Sequence, residues 1–411
     1  MLLLVALAGK AQVANTTELV GSWNGKLDVG GISLTVVLNI EQAEDYVVIT
    51  MDSPDQGAKG LGTVKEFLSD DSVAIKMDYM EASYRGRLKD GKLDGTFTQR
   101  GFSFPLVLSR GTYEHEMRRP QMPQTPYPYE TENVTFRNEK DGATLAGTIT
   151  YPVGYDKTAK RKPMVVLLVS GSGLQNRDEE LLGHKPFLVI ADYFARHGIA
   201  TLRYDDRAYG ESVGGDVMGA TTSDFADDAA AGIEWLRRSG RFQQVGILGH
   251  SEGGAIAFML GAQGLVDFIV SLAGPAVQGD SILLEQCRIV TPELAENLTI
   301  EVLHRDPRIQ QNPWYNFFMN YNPQTDIAAT ACPVMAVNGE NDCQVPAEMN
   351  LSAMRRFLRP NERHLIKSYP GLNHLFQHCE TGLPDEYDVI EETFSEEVIN
   401  DIINWIKILN H

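Results

Sequence analysis

The sequence predicts a two-part chain: a small antiparallel, barrel-like all-β domain, then a larger α/β domain whose mostly parallel sheet carries helices on both faces. Three observations support this. Residues 18 to 111 alternate with period two in Val, Ile, Tyr, Phe and Thr, with turn residues between the runs. Residues 118 to 130, RRPQMPQTPYPYE, place four prolines in thirteen positions, which suits neither a ladder nor a helix. Beyond them, strands that are apolar throughout alternate with helical stretches, the pattern of a parallel sheet covered on both faces.

Taken in order, MLLLVALAGKAQVANTT at 1–17 has a short apolar run and then Gly9, Lys10 and Ala11 before Gln12. This pattern suits the h-region and cleavage site of a secretory signal without a basic n-region, so export to the periplasm or the exterior is expected; a buried N-terminal strand is the other reading. The β-domain occupies 18–112. Its runs GKLDVGGISLTVVLNIEQ, DYVVITMDS, DSVAIKMDY and ASYRGRLKDGKLDGTFTQ imply seven or eight strands, with hairpin signals at DSPDQG and at Asp90-Gly91. A Pro-rich linker spans 113–130.

From 131 to 411 the pattern is β/α. MVVLLVSGSG reads as a buried strand entering a Gly-rich turn, PFLVIADYFARHG as a helix ending at Gly198, and IATLRYDDR as a strand. TSDFADDAAAGIEWLRRSG is a capped helix with acids in its first turns and arginines in its last. QVGILGHSEGGAIAFMLGAQG gives strand, tight turn and helix, and FIVSLAG and PVMAVNG are further strands. Between Gly279 and Ala328 the sheet pattern is interrupted by helical material, about 279–328, which reads as a cap.

Composition narrows the function classes. The formal charge of −19 and the absence of a long Lys/Arg cluster argue against a nucleic-acid partner. There is no stretch of eighteen apolar residues to span a membrane. The cysteines, Cys287, Cys332, Cys343 and Cys379, match no zinc spacing, and no metal site is expected. Cys343 and Cys379 directly follow or lie near the proposed acid and base, and they are read either as free thiols or as a bridge.

Gly249-His250-Ser251-Glu252-Gly253 falls where a strand turns into a helix. Glycines on both sides allow the tight backbone that lifts a serine hydroxyl above the sheet edge. A serine needs a base and an orienting acid to become nucleophilic. The loops after PVMAVNG and HLIKSYP supply Asp342 and His374, with Glu340 and His378 as rivals nearby. His250 is read as packing beneath the turn, and His184 as lining the site rim or capping the following helix. The oxyanion is expected to be held by the backbone N–H of Glu252 and by Gly173 or Leu174 in the turn after the first long strand. In the cap, Trp314, Phe317 and Phe318 are candidate substrate-binding residues, though such an aromatic cluster could equally be the cap's own core.

GSGLQNRDE, HKPF, RYDDRAYGES, GHSEGG, NGENDCQVP and GLNHLFQ together make the chain from 130 onward resemble a serine α/β-hydrolase of the bacterial esterase, serine-aminopeptidase-like type, which carries an N-terminal β-domain. The resemblance implies an α/β-hydrolase fold with Ser251, Asp342 and His374 as nucleophile, acid and base. Two positions depart from it: Ala208 stands where glycine is usual after YDDR, and Leu174 where proline is usual after GSG. The expected function is hydrolysis of short-chain acyl esters, a small-molecule substrate, through an acyl-enzyme without a cofactor. A serine peptidase using the same triad and a ligand-binding protein with a vestigial hydrolase domain are the alternatives.

Overall fold

The computed structural model describes residues 18–29, 32–43, 46–54, 58–113 and 118–409; the signal segment read at 1–17 lies outside them. The chain divides into two compact units, Met1–Glu116 and Met117–His411.

Unit 1 is a nine-stranded antiparallel sheet, in the order β4-β3-β2-β1-β9-β8-β7-β6-β5. Its strands are β1 (Gly21–Val29), β2 (Ile32–Gln42), β3 (Val47–Ser53), β4 (Ala58–Gly62), β5 (Val64–Leu68), β6 (Ser72–Met77), β7 (Ala82–Lys89), β8 (Lys92–Gln99) and β9 (Phe102–Arg110). Alternate side chains enter one core, including Trp23, Leu38, Ile40, Met51, Ile75, Tyr84, Leu93 and Leu108. The edge strands β4 and β5 are separated in sequence by Thr63 alone, so the sheet nearly returns on itself.

The strand count exceeds the seven or eight expected, because AKGLG and VKEFL keep almost no buried residue and so carry no alternating signal. At the β7–β8 hairpin Asp90 and Gly91 take φ of 49° and 75°, the left-handed pair that a tight hairpin needs. Gly86 and Gly95 face each other in register, and a Cβ on either would strike the Tyr84 ring. Their bareness makes room for the buried phenol, whose hydroxyl donates to the Leu93 carbonyl at 3.1 Å.

Unit 2 holds an eight-stranded sheet in the order β10-β11-β13-β12-β14-β15-β16-β17. β10 (Thr131–Arg137) and β11 (Thr144–Thr150) are antiparallel additions at one edge. β12 (Met164–Val169), β13 (Ala200–Tyr204), β14 (Gln244–His250), β15 (Ile269–Leu272), β16 (Val334–Gly339) and β17 (Leu365–Tyr369) run parallel. Apart from Gln244 at the start of β14, the parallel strands β12 to β16 are buried throughout, as strands covered on both faces must be.

Helices α2 (Thr222–Ser239), α3 (Glu252–Ala262) and α10 (Ala347–Phe357) pack on one face, and α1 (Pro186–Arg196) and α11 (Glu396–Leu409) on the other. α2 is held at its start by the reciprocal Thr221–Asp224 box and ends on Gly240 at φ 61°. Among the described residues no helix is long and apolar enough to cross a membrane.

Six short helices lie between β15 and β16: α4 (Gly279–Val290), α5 (Pro292–Ala295), α6 (Ile300–Arg305), α7 (Pro307–Gln311), α8 (Pro313–Asn320) and α9 (Pro323–Ala329). Four of them open on proline, and the side chains of Asp306, Asn312 and Asn322 accept the first amides of α7, α8 and α9. α4 and α8 approach closely at Gly279, where a Cβ would run into Phe318.

Candidate active site

The site gathers at the C-terminal ends of β12, β14, β16 and β17. β14 ends at His250, and Ser251 turns the chain into α3 with φ 52° and ψ −119°, a conformation that costs a non-glycine residue about 1–3 kcal/mol. The flanking glycines are required by contact: a Cβ at Gly249 would overlap the Gly253 carbonyl, and one at Gly253 the Val169 carbonyl. The Ser251 amide donates to the Leu272 carbonyl at 2.8 Å, and its own carbonyl accepts from Gly254 at 2.8 Å.

Two strands along, the loop after β16 places Asp342 and the loop after β17 places His374, both buried. His374 Nδ1 meets Asp342 Oδ2 at 2.8 Å. The other carboxylate oxygen accepts the amides of Gln344 at 2.8 Å and Val345 at 2.9 Å, which fixes the carboxylate's plane. Glu340 and His378 are elsewhere: Glu340 is exposed and accepts from the Ser368 hydroxyl, and His378 is exposed and bonded to Glu392.

His250 binds these parts together. Its Nε2 reaches the His374 carbonyl at 3.0 Å and its Nδ1 reaches Glu179 Oε1 at 2.9 Å, and the two imidazoles lie 4.8 Å apart. Two acceptors, one on each ring nitrogen, favour the protonated ring. Burial opposes that charge, but the Glu179 carboxylate overcomes it and raises the His250 pKa above the usual value.

Glu179 also accepts the Gly171 amide at 2.8 Å, and Asp206 accepts the Gln175 amide at 2.7 Å. These carboxyls consume the amides at either end of the turn 171–175. Among the described residues those of Ser172, Gly173 and Leu174 between them donate to no protein acceptor.

The sequence analysis does not find this role of Glu179, whose chain neighbours Arg177 and Asp178 suggest a local ion pair instead. Arg177 pairs instead with Asp205 and Glu211, and Asp178 pairs with Arg203. Sequence adjacency misled here because the chain folds back on itself between β12 and β13. His184 neither lines the cavity nor caps α1. It is buried between the Tyr387 carbonyl and the Thr393 hydroxyl, and burial lowers its pKa.

Ser251 opens on a cavity of about 470 Å³ lined by Ser172, Gly173, Leu174, Glu252, Ile282, Leu283, Trp314, Tyr315 and Phe318, among others. Trp314 and Phe318 stack at 5.3 Å along one face of α8 and line it. Phe317 does not. It points about 100° round α8 from Phe318, stacked on Tyr321 at 5.4 Å and packed against the core that also holds α2 and α3. All four cysteines are free thiols; Cys343 donates to the Gly382 carbonyl and Cys379 to that of Gly371.

Residues 185–325 match the sequence profile described as serine aminopeptidase, S33, and the sheet around them is the open, mostly parallel one of that architecture. The second unit has the α/β-hydrolase fold. The chain is similar in sequence to esterase EstD of Thermotoga maritima, at 25% identity over 295 residues covering 68% of each chain. It is also similar to a monoacylglycerol lipase of Mycolicibacterium smegmatis, at 26% identity over 243 residues, 53% of this chain and 81% of that one. A solved esterase of Pyrococcus furiosus superposes with a TM-score of 0.47 at 17% identity, covering 71% of this chain and 97% of that one.

Proposed function

We propose that the α/β-hydrolase is a serine carboxylesterase acting on short-chain acyl esters. The observation that carries this reading is the Asp342–His374 pair, 2.8 Å apart, on the strand ends beside an elbow serine that opens on a largely apolar cavity. In the reaction, His374 Nε2 takes the Ser251 proton as Oγ attacks the ester carbonyl. Asp342 holds the imidazole by Nδ1 and stabilises the imidazolium. The amide of Glu252 and one of the unpartnered amides at 172–174 hold the oxyanion. His374 then protonates the leaving alkoxide, and water attacks the acyl-enzyme by the reverse proton path. Trp314 and Phe318 wall the acyl group. The ester chemistry is supported by the esterase and lipase among the relatives.

Peptide cleavage has less support. An aminopeptidase needs a carboxylate free to hold the substrate's α-amino group, and Glu252, Glu179 and Asp178 are each engaged by protein donors. Export rests on residues 1–17 and would be read from the cleaved N-terminus of material recovered from its native host.

The test is p-nitrophenyl butyrate hydrolysis by the purified chain. Ser251→Ala is expected to lose at least ~10³ in kcat with an unchanged melting temperature, and an organophosphorus reagent to modify Ser251 in the wild type. Matched acyl esters should exceed acyl amides in kcat/KM by at least ~10² beyond their intrinsic reactivity. An active Ser251→Ala enzyme overturns the assignment.

A further inference from the structure

Glu252 follows the nucleophile, and its carboxyl has no part in the steps above. It is 6% exposed and stands in the cavity wall. Burying a carboxyl is expensive unless donors surround it, and here they come from different elements. The Thr222 hydroxyl at the start of α2 donates to Oε1 at 2.6 Å, and the Trp314 indole N–H on α8 donates to the same oxygen at 2.6 Å. The Ser172 hydroxyl, in the oxyanion turn, adds a further contact. Burial pushes the Glu252 pKa up, and these donors pull it back.

An indole N–H can only donate, so Trp314 depends on this acceptor for its orientation. The rest of the ring is held by stacking on Phe318, at an interplanar angle of 9°. One carboxyl thus ties a cap side chain to the sheet domain at the point where the cavity meets the nucleophile.

We propose that Glu252 is a positioning residue that sets acyl-chain length. Its carboxyl holds the Trp314 indole as the end wall of the acyl pocket, and without it the indole turns away and the pocket lengthens. The inference rests on reading this cavity as the acyl site of a serine esterase. A carboxyl with its donors already in place is not free to bind a substrate cation, which is why its role is positioning.

The experiment compares Glu252→Ala, Glu252→Gln, Trp314→Phe and the Glu252→Ala/Trp314→Phe double variant on p-nitrophenyl butyrate and octanoate. The readout is the octanoate-to-butyrate ratio of kcat/KM within each variant, from which the folded fraction cancels. Glu252→Ala and Trp314→Phe are each expected to raise that ratio at least ~10-fold, chiefly through KM, and the double variant no further. Glu252→Gln, which keeps one acceptor oxygen, should fall between wild type and Glu252→Ala. If Glu252→Ala does not fold, Trp314→Phe and Glu252→Gln carry the same test.

A ratio unchanged in Trp314→Phe and Glu252→Gln overturns the proposal, as does an equal loss of kcat on both esters. If the wild type hydrolyses neither ester but is modified at Ser251 by alkyl fluorophosphonates, the esterase reading fails by itself. The butyl-to-octyl ratio of modification rates then tests Glu252 directly.

Discussion

Asp206 gives the sharpest test of the electrostatics around the turn 171–175. It follows β13, is 5% exposed, and accepts the Gln175 amide at 2.7 Å. Burial pushes its pKa up to about 8; the Gln175 amide opposes this, and the neighbouring carboxyls of Glu252, Asp228 and Glu179 reinforce it. An unfolded aspartate titrates near ~3.9. Between about pH 4 and pH 8 the unfolded chain therefore carries this group ionised while the folded chain carries it protonated. Folding takes up a proton across that window, so stability falls as pH rises, by about 1.4 kcal/mol per pH unit, and the loss levels off above about pH 8.

Asp206→Asn keeps a neutral group of the same shape whose oxygen can still accept from Gln175, and it removes the dependence. From pH 5.5 to 7.5 the variant should gain about 2.7 kcal/mol on the wild type. For a unit of 295 residues, Met117 to His411, this is roughly 4 °C in melting temperature. Calorimetry of both proteins at pH 5.5, 6.5, 7.5 and 8.5 measures it. The offset between them should climb to about pH 8 and then stay level. A constant offset, or one that moves the other way, refutes the reasoning.

Ala208 sits exposed at φ 54°, where an alanine costs about 1 kcal/mol, so Ala208→Gly should raise the urea midpoint by a corresponding amount and leave turnover unchanged. Phe317→Ala should cost about 2–4 kcal/mol in stability with its ester selectivity kept, whereas Phe318→Ala should shift kcat/KM among acyl lengths; denaturant titration beside a substrate panel separates them, and exchanged phenotypes would contradict the two faces of α8. Burial, with Asp342 beside it, pushes the Cys343 thiol up to about 11, so only about one in ~10³ is thiolate at pH 8. Mass spectrometry should find Cys343 alkylated by iodoacetamide far more slowly in the native protein than in urea; rapid native labelling would refute its burial.

What could be read from the sequence was whatever local chemistry decides. The Thr221–Asp224 box, the glycine that ends α2 and the glycines around Ser251 act within a few residues of themselves, so their spacing predicts the structure found. The apolar strands of unit 2 are readable for a related reason: a strand buried on both faces has no polar positions to blur it. β4 and β5 are hidden because edge strands bury little and carry charge and glycine instead. Phe317 and Phe318 are chemically alike, and only the position of α8 over the sheet separates them. Glu179 reaches His250 across 71 positions, and nothing near either residue announces the partner.

The order of strands in unit 1 bears on how that unit folds. Among the described residues every ladder joins strands consecutive in sequence, except that between β1 and β9. Hairpins form early because their loops are short, so most of this sheet can assemble from neighbouring pieces with little loop-closure cost. The β1–β9 seam brings together residues as distant as Trp23 and Arg110, and its register pairs are few, Trp23 with Arg110 and Asn24 with Ser109. That seam is where the entropy of closing the whole sheet is concentrated. The guanidinium of Arg110, lying 4.6 Å from the Trp23 ring, clasps this long-range pairing of an otherwise local topology.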